Sequence, residues 1–321
     1  MTISRRNFLR DSTQVLSCAS LLGVSGLASA AAKPRIEVKD VNGLALFTGA
    51  GGNVVALPSP EGALLIDGGL AANSAALLKA VASNTGSKRI STLINTHWHP
   101  EQTGSNEAVG KTGAKIISHE VTRLALARKN NPSALVKGAY GGLPKEALPT
   151  VTTYNTGSLE VAGETVDYRY LPAAHTNGDL LVHFPKHNVI VAGGPVAGNE
   201  WPVIDWIAGG FYHGFLRSYE ILAELAKPDT LVIGAAGEPL TGAEIARRKD
   251  IYWELFKQFF ILFNVGFGPE DVVAFNAGQE FVGVTPVVAD RPLKDLIEKM
   301  GDPAQFLECA YRGLQQATLP H

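Results

Sequence analysis

Cysteine is nearly absent from this chain. Cys18 and Cys309 are the two among 321 residues, too few and too oddly placed for a disulfide framework. Neither sign of charge is in clear excess: 28 Lys and Arg against 30 Asp and Glu give a formal net charge of -2, so no basic surface is available to hold nucleic acid or an anionic membrane. A G-x-S-x-G elbow, a C-x-x-C pair and a phosphate-cradling glycine loop are all missing, which makes a serine hydrolase or a nucleotide enzyme a poor fit. The glycine cluster at residues 49–52 follows one strand and opens into another, not into a helix. Repeats and low-complexity segments are lacking too. What remains is an ordinary globular composition, 45% hydrophobic and 18% charged, enough for one large domain or two small ones.

The first thirty residues read as a targeting segment. Ser4-Arg5-Arg6-Asn7-Phe8-Leu9 resembles the twin-arginine export signal; an apolar region through Val15, Leu16, Leu21, Leu22 and Leu27 follows, then a small-residue site at Ala28-Ser29-Ala30. The apolar stretch is too short and too rich in Ser and Gly to span a bilayer. Cleavage near Ala30 is expected, with the twin-arginine machinery as an export partner and a periplasmic or extracellular destination. It would remove Cys18 and leave Cys309 as a lone thiol.

Short apolar runs at Leu44 to Phe47, Asn53 to Leu57 and Ala63 to Ile66, separated by glycine and proline turns, predict a β-meander. Asn73 to Ala82 predicts a helix with Asn73 as its N-cap. Ile90 to Ile94 predicts a strand, followed by a helix from Asn106, a strand over Ala114 to Ile117 and a helix around Val121 to Ala127. Residues 131–149, rich in Pro and Gly, predict a long irregular loop of the kind that walls an active site. A second series of strands starts near Thr150 and runs through Tyr168 to Leu171, Leu180 to Phe184 and Val189 to Val191. A helix over Arg217 to Leu225, a strand over Leu231 to Ile233 and a long helix over Ala243 to Phe263 come after it. Two blocks of strands, each followed by helices, predict two sheets face to face with helices outside.

The helix at residues 247–263 carries Tyr252, Trp253, Phe256, Phe259, Phe260 and Phe263, more aromatics than one buried stripe requires. It either packs under the last fifty residues or offers a subunit contact, through which an oligomer would form, or a wall of the cleft. Helices near Leu293 to Met300 and Ala304 to Leu314 read as a C-terminal appendage.

The centre of the chain's chemistry is Thr96-His97-Trp98-His99-Pro100-Glu101-Gln102. Side chains at i and i+2 of an extended chain leave on one face, so His97 and His99, placed just after a strand, can grip one metal ion. Neutral imidazoles suit zinc, copper, iron or nickel.

Four segments together, Ile66-Asp67-Gly68-Gly69, Asn95 to His99, Pro172-Ala173-Ala174-His175-Thr176 and Pro202-Val203-Ile204-Asp205-Trp206, resemble the metallo-β-lactamase superfamily over roughly residues 40 to 250. The resemblance implies an αββα four-layer sandwich with metal at its edge, here with a C-terminal helical appendage. The division it suggests is a signal peptide at 1–30, the metallo-β-lactamase-like domain at 31–265 and the helical extension at 266–321. The family's first-metal ligands fall on His97, His99 and His175. Its second-metal positions fall on Glu101, Gln102, Gly194 and Ala236, none of them the family's residue, so one zinc ion is expected and the second site is degraded.

A three-histidine zinc with an open position can lower the pKa of bound water to about 7. Glu101 then serves as general base, or else closes the site as a fourth ligand; the pair Glu101-Gln102 also reads simply as a solvated helix start. Asp67 is expected to fix the loop carrying His97 and His99, and Asp179 to orient His175. Gln102 and His213 are candidates to touch substrate. His119 reads as a structural hydrogen-bonding residue, and His183, His187 and His321 as bystanders. The resemblance thus implies an exported hydrolase cleaving an ester, lactone, thioester or amide of a small molecule by zinc-bound hydroxide. The alternative is a non-catalytic member that binds a small molecule, a metal or a partner through the same cleft.

Overall fold

The computed structural model describes residues 35–129, 131–136, 140–276 and 291–318. The export segment, Cys18 and His321 lie outside the described residues.

The first sheet has seven strands in sequence order. They are β1 (Glu37–Val41), β2 (Leu44–Thr48), β3 (Val54–Leu57), β4 (Ala63–Ile66), β5 (Ile90–Ile94), β6 (Lys115–His119) and β7 (Val151–Thr153). The first four form the predicted antiparallel meander, and β4 to β7 run parallel. The parallel part needs crossovers; α1 (Ser74–Thr85), the short α2 (Pro100–Thr103) and α3 (Asn106–Gly110), and α4 (Glu120–Ala127) supply them. The second sheet holds β8 (Thr156–Val161), β9 (Glu164–Leu171), β10 (Asp179–Phe184), β11 (Val189–Gly193), β12 (Leu231–Gly234) and β13 (Leu240–Thr241). On its outer side lie α5 (Tyr212–Leu225), α6 (Gly242–Asn264), α7 (Pro269–Asn276), α8 (Arg291–Met300) and α9 (Ala304–Thr318).

Strand periodicity explains the layers. On β4, Leu64 and Ile66 point into the space between the sheets, where they meet Leu180, Val182 and Phe184 of β10, while Ala63 and Leu65 face Leu77 and Val81 of α1. On β10, Leu181 points the other way into the cluster built from α5, α6 and α9. Strands buried on both faces read as unbroken apolar runs, and β3, β4 and β11 are buried at every position. The predicted αββα sandwich with C-terminal helices is the observed fold.

Several elements differ from expectation. The strand at residue 150 does not open the second block; β7 pairs in parallel with β6 and closes the first sheet. β1 went unpredicted because four of its five residues are exposed. The fifth outer helix, α5, begins at Tyr212 and not at Arg217. Gly214 lowers its apparent helix propensity, yet glycine is required there: a Cβ would lie 2.2 Å from the carbonyl oxygen of Pro172. Asn73 occupies the N-cap position of α1, but its side chain reaches back to the Ala50 carbonyl at 3.1 Å. The aromatics of α6 pack under the C-terminal helices, Tyr252 against Phe306 and Phe259 against Tyr311, at ring separations of 5.5 and 5.6 Å.

Candidate metal centre

Beyond Ile94 the chain leaves β5 through Asn95 and Thr96, and both are pinned. The carboxamides of Asn95 and Asn106 exchange hydrogen bonds of 3.0 and 2.8 Å. Asp67, at the end of β4 with φ of 62°, accepts from the Thr96 amide at 2.7 Å and from its hydroxyl at 2.8 Å. An aspartate in the left-handed region is uncommon, and these two bonds hold it. The Thr96 carbonyl in turn accepts from Leu180 of β10 at 2.7 Å, tying the histidine loop to the opposite sheet. Residues 96–99 form a bend and not a continued strand, but the two rings still converge, with centroids 4.9 Å apart.

His175 comes from the other sheet, in the loop between β9 and β10. Asp179 fixes that loop by accepting from the backbone amides of His175 and Thr176 at 2.7 and 2.8 Å and from the Thr176 hydroxyl at 2.7 Å. This corrects the expectation for Asp179: it holds His175 through the backbone, because at the first position of β10 it sits beneath the loop. The ring is oriented by another group, the carbonyl of Val203, which accepts from Nδ1 at 2.5 Å.

Among the described residues, His97, His99 and His175 form a group whose ligating atoms lie within 4.8 Å of one another, all buried. Each ring has an acceptor for one nitrogen. His99 Nε2 meets Asp205 Oδ2 at 3.0 Å, His175 Nδ1 meets the Val203 carbonyl, and His97 Nδ1 lies 3.1 Å from the Thr96 hydroxyl, whose own proton goes to Asp67. These acceptors assign the tautomers: His97 Nε2, His99 Nδ1 and His175 Nε2 are left without protons. Burial, then the neighbouring imidazoles, hold His97 well below the usual histidine range, and push His175 down to about 4. Three buried imidazoles with fixed outer nitrogens are the donor set a three-histidine zinc site requires. His99 Nδ1 and His175 Nε2 are 3.1 Å apart, close to the roughly 3.3 Å between two ligands on one tetrahedral zinc.

Asp205 is the residue that the sequence did not assign. It is fully buried and accepts four hydrogen bonds: from His99, from the Ser133 hydroxyl, and from the amides of Ala134 and Ala208 at 2.8 and 3.1 Å. Burial opposes its ionisation, but the bonds from His99, Ser133 and Ala134 outweigh burial and hold the carboxyl below its usual range. Ser133 and Ala134 belong to the long loop after α4, so that loop is indeed a wall of the site. Farther along it, Tyr140 stacks over Trp98 at 6.5 Å and bonds the Thr103 hydroxyl at 2.6 Å.

The remaining candidates fall at graded distances from the cluster. Glu101 lies beside it, Oε1 3.9 Å from His99 Nδ1, with 37% of its side chain exposed. Gln102 is not on a solvated helix start: it is fully buried, and neither its Oε1 nor its Nε2 has a partner among the described residues. Its Nε2 would stand 3.1 Å from a Cβ on Gly52. Gly194 backs onto His175, where a Cβ would meet the ring carbon Cδ2 at 2.2 Å. Ala236 is partly buried and offers no ligand atom. His213 does not reach the cluster. One position past the core-facing Tyr212, its ring is turned outward by the helical phase, onto Phe211, Trp253 and Phe256. His119 caps α4, accepting from the Val121 amide at 3.2 Å, and His187 bridges Glu164 and the Asn42 carbonyl at 2.8 and 2.7 Å.

Comparison with known proteins agrees with this geometry. The model of the Metallo-beta-lactamase superfamily matches residues 48–235. The metallo-beta-lactamase type 2 of Elizabethkingia meningoseptica is 29% identical over 106 residues, covering 33% of this chain and 36% of that protein; the match spans about a third of the relative's length. Two solved structures share the fold. A metallo-beta-lactamase from Pontibacter korlensis superposes with a TM-score of 0.52 at 19% identity, covering 68% of this chain and 93% of its own. The DIM-1 metallo-beta-lactamase gives 0.54 at 17%, covering 68% and 97%.

Proposed function

The chain belongs to the metallo-beta-lactamase superfamily, and from that premise we propose that it is an exported hydrolase with a single zinc ion held by His97, His99 and His175. The observation that carries this reading is the set of three buried histidines whose unprotonated nitrogens converge while every outer nitrogen has its own acceptor. Zinc in such a site supplies Lewis acidity and a nucleophilic water at neutral pH. The chain's own residues do the rest. Asp205, the Val203 carbonyl and the Asp67–Thr96 pair hold the rings in place. Glu101, within reach of the cluster and partly open to solvent, would accept a proton from the attacking water at its carboxylate and pass it to the leaving group. The scissile bond is an ester, lactone, thioester or amide of a small molecule. One metal, not two, is supported by the packing of His175 on Gly194 and by the absence of ligand atoms at Gly194 and Ala236.

The same residues favour a second reading, a non-catalytic binder, in one respect: Glu101 is near enough to His99 to close the fourth position. The first experiment is metal content per chain on protein purified from residue 31 onward, with His97→Ala beside it. About one zinc, lost in the variant, followed by turnover of an ester or lactone that Glu101→Gln abolishes without losing metal, is the result expected. Zinc with no turnover across a broad panel would establish the binder, and no metal after reconstitution would remove the zinc reading.

Export by the twin-arginine route rests on Arg5 and Arg6; lysine at both should hold the precursor in the cytoplasm, and unchanged export would refute the route. Self-association through α6 is part of the same reading, supported by the exposure of Phe260 and Ile261, 54% and 48%.

A further inference from the structure

Beside the histidine cluster, and containing none of its ligands, lies a recess of about 280 Å³ between α4 and the loop at residues 205–209. Trp98 forms part of its lining, with Ala125 on the α4 side and Ile207 and Ala208 opposite. Two of the chain's exposed large apolar side chains, Leu124 at 54% and Ile207 at 37%, line this one recess. Large apolar groups left in water at one concavity mark a place where an apolar body docks.

The polar groups at the recess set the ligand's charge. Among the described residues, Arg128 is the one charged side chain in its lining. The neighbouring Arg123 is paired with Glu120 at 3.6 Å, whereas the Arg128 guanidinium is exposed and has no ion pair among the described residues. Asn177, exposed on the opposite loop, also lines it. A partly apolar recess whose described lining has an unpaired guanidinium, the carboxamide residues Asn131 and Asn177 and no carboxylate is complementary to an apolar acid. At this volume the acid is short: a medium-chain fatty acid or a single-ring aromatic acid, not a long lipid.

We propose that this recess binds a small apolar carboxylate, with the apolar body against Trp98, Leu124 and Ile207 and the carboxylate on Arg128. Its two sides are connected to the histidine cluster. Trp98 packs edge-on against His99 at 4.7 Å, and Ala208, through its amide, bonds Asp205.

Octanoate is the probe, titrated calorimetrically into the full chain in the presence of EDTA, so that coordination to a metal contributes nothing and the result does not depend on the zinc reading. Binding with a Kd of about a millimolar or tighter is expected. Arg128→Ala should weaken it about tenfold, and octan-1-ol should bind wild type and Arg128→Ala alike. Ile207→Glu, at an exposed position that a charge does not unfold, should abolish binding by setting a like charge in the recess. No heat up to 10-fold above that Kd, or octanoate binding indifferent to both Arg128→Ala and Ile207→Glu, would overturn the proposal.

Discussion

His99 Nδ1 and His175 Nε2 face each other across 3.1 Å, each on a ring whose other nitrogen is committed to an acceptor. At that distance the two nitrogens share a proton or take a metal ion between them. Zinc at a hundred times its Kd should therefore stabilise the fold by about 2.7 kcal/mol, a rise of about 5 °C in Tm for a chain of this size. His175→Ala should show no rise. A shift of the same size in that variant would place the metal somewhere else.

Asp205→Asn keeps the shape of the residue that faces His99 but turns one of its two acceptor atoms into a donor. At least one of the four donors around it then meets another donor. Metal affinity should fall by about 10- to 100-fold, read by competition with a chromophoric chelator, with an accompanying loss of about 1–3 kcal/mol in stability. Unchanged affinity would mean that Asp205 holds only its own loop.

Gln102 buries both amide atoms without a hydrogen-bond partner among the described residues, and an unsatisfied buried polar group costs about 1–3 kcal/mol. Leucine has a similar volume and no such cost. Gln102→Leu should be as stable as wild type or up to about 2 kcal/mol more so in urea denaturation. A clear destabilisation would show that the amide has a partner in solution.

Acid sensitivity has a named source at the start of α6. Burial would raise the Glu244 carboxyl, but hydrogen bonds from Arg247 and Arg248 at 2.8 and 2.9 Å prevail and hold it at about 2, against an ordinary 4.5. A depressed acid contributes stability that is full above the unfolded value and is lost as pH falls toward the folded one. After allowance for solvent screening the contribution is about 1–2 kcal/mol. Between pH 5 and pH 3, wild type should lose more stability than Glu244→Gln by about half of that, and the rest as pH falls toward 2. Parallel pH profiles of the two proteins would exclude the pair as the cause.

The fold was legible where periodicity is strong. β4 is strictly apolar and β5 has apolar Ile90, Leu93 and Ile94 around Ser91 and Thr92; both fall at their predicted residues, and α6 is placed to within a residue at either end. Exposed or very short elements were not legible: β1 shows no apolar alternation, and β13 is two residues long. At the site, the H-x-H spacing pointed to His97 and His99 from local chain geometry alone, whereas His175 came from family resemblance. The groups that orient the rings are different. Asp205 is 106 residues from His99 in sequence, and the Val203 acceptor is a backbone carbonyl, which no residue identity can signal. Gly194 was read as a missing ligand; the structure adds a positive reason for glycine, the ring of His175 lying where a side chain would be.

The three histidines also come from different sheets, His97 and His99 after β5 and His175 after β9, with His99 and His175 76 residues apart in sequence. An ion shared by them is a clip on the covalent chain. Closing a loop of that length costs an open polypeptide about 4 kcal/mol of entropy. A chain that keeps its ion during unfolding is spared part of that cost when it refolds, and one stripped of the ion must find the pairing of its two halves unaided.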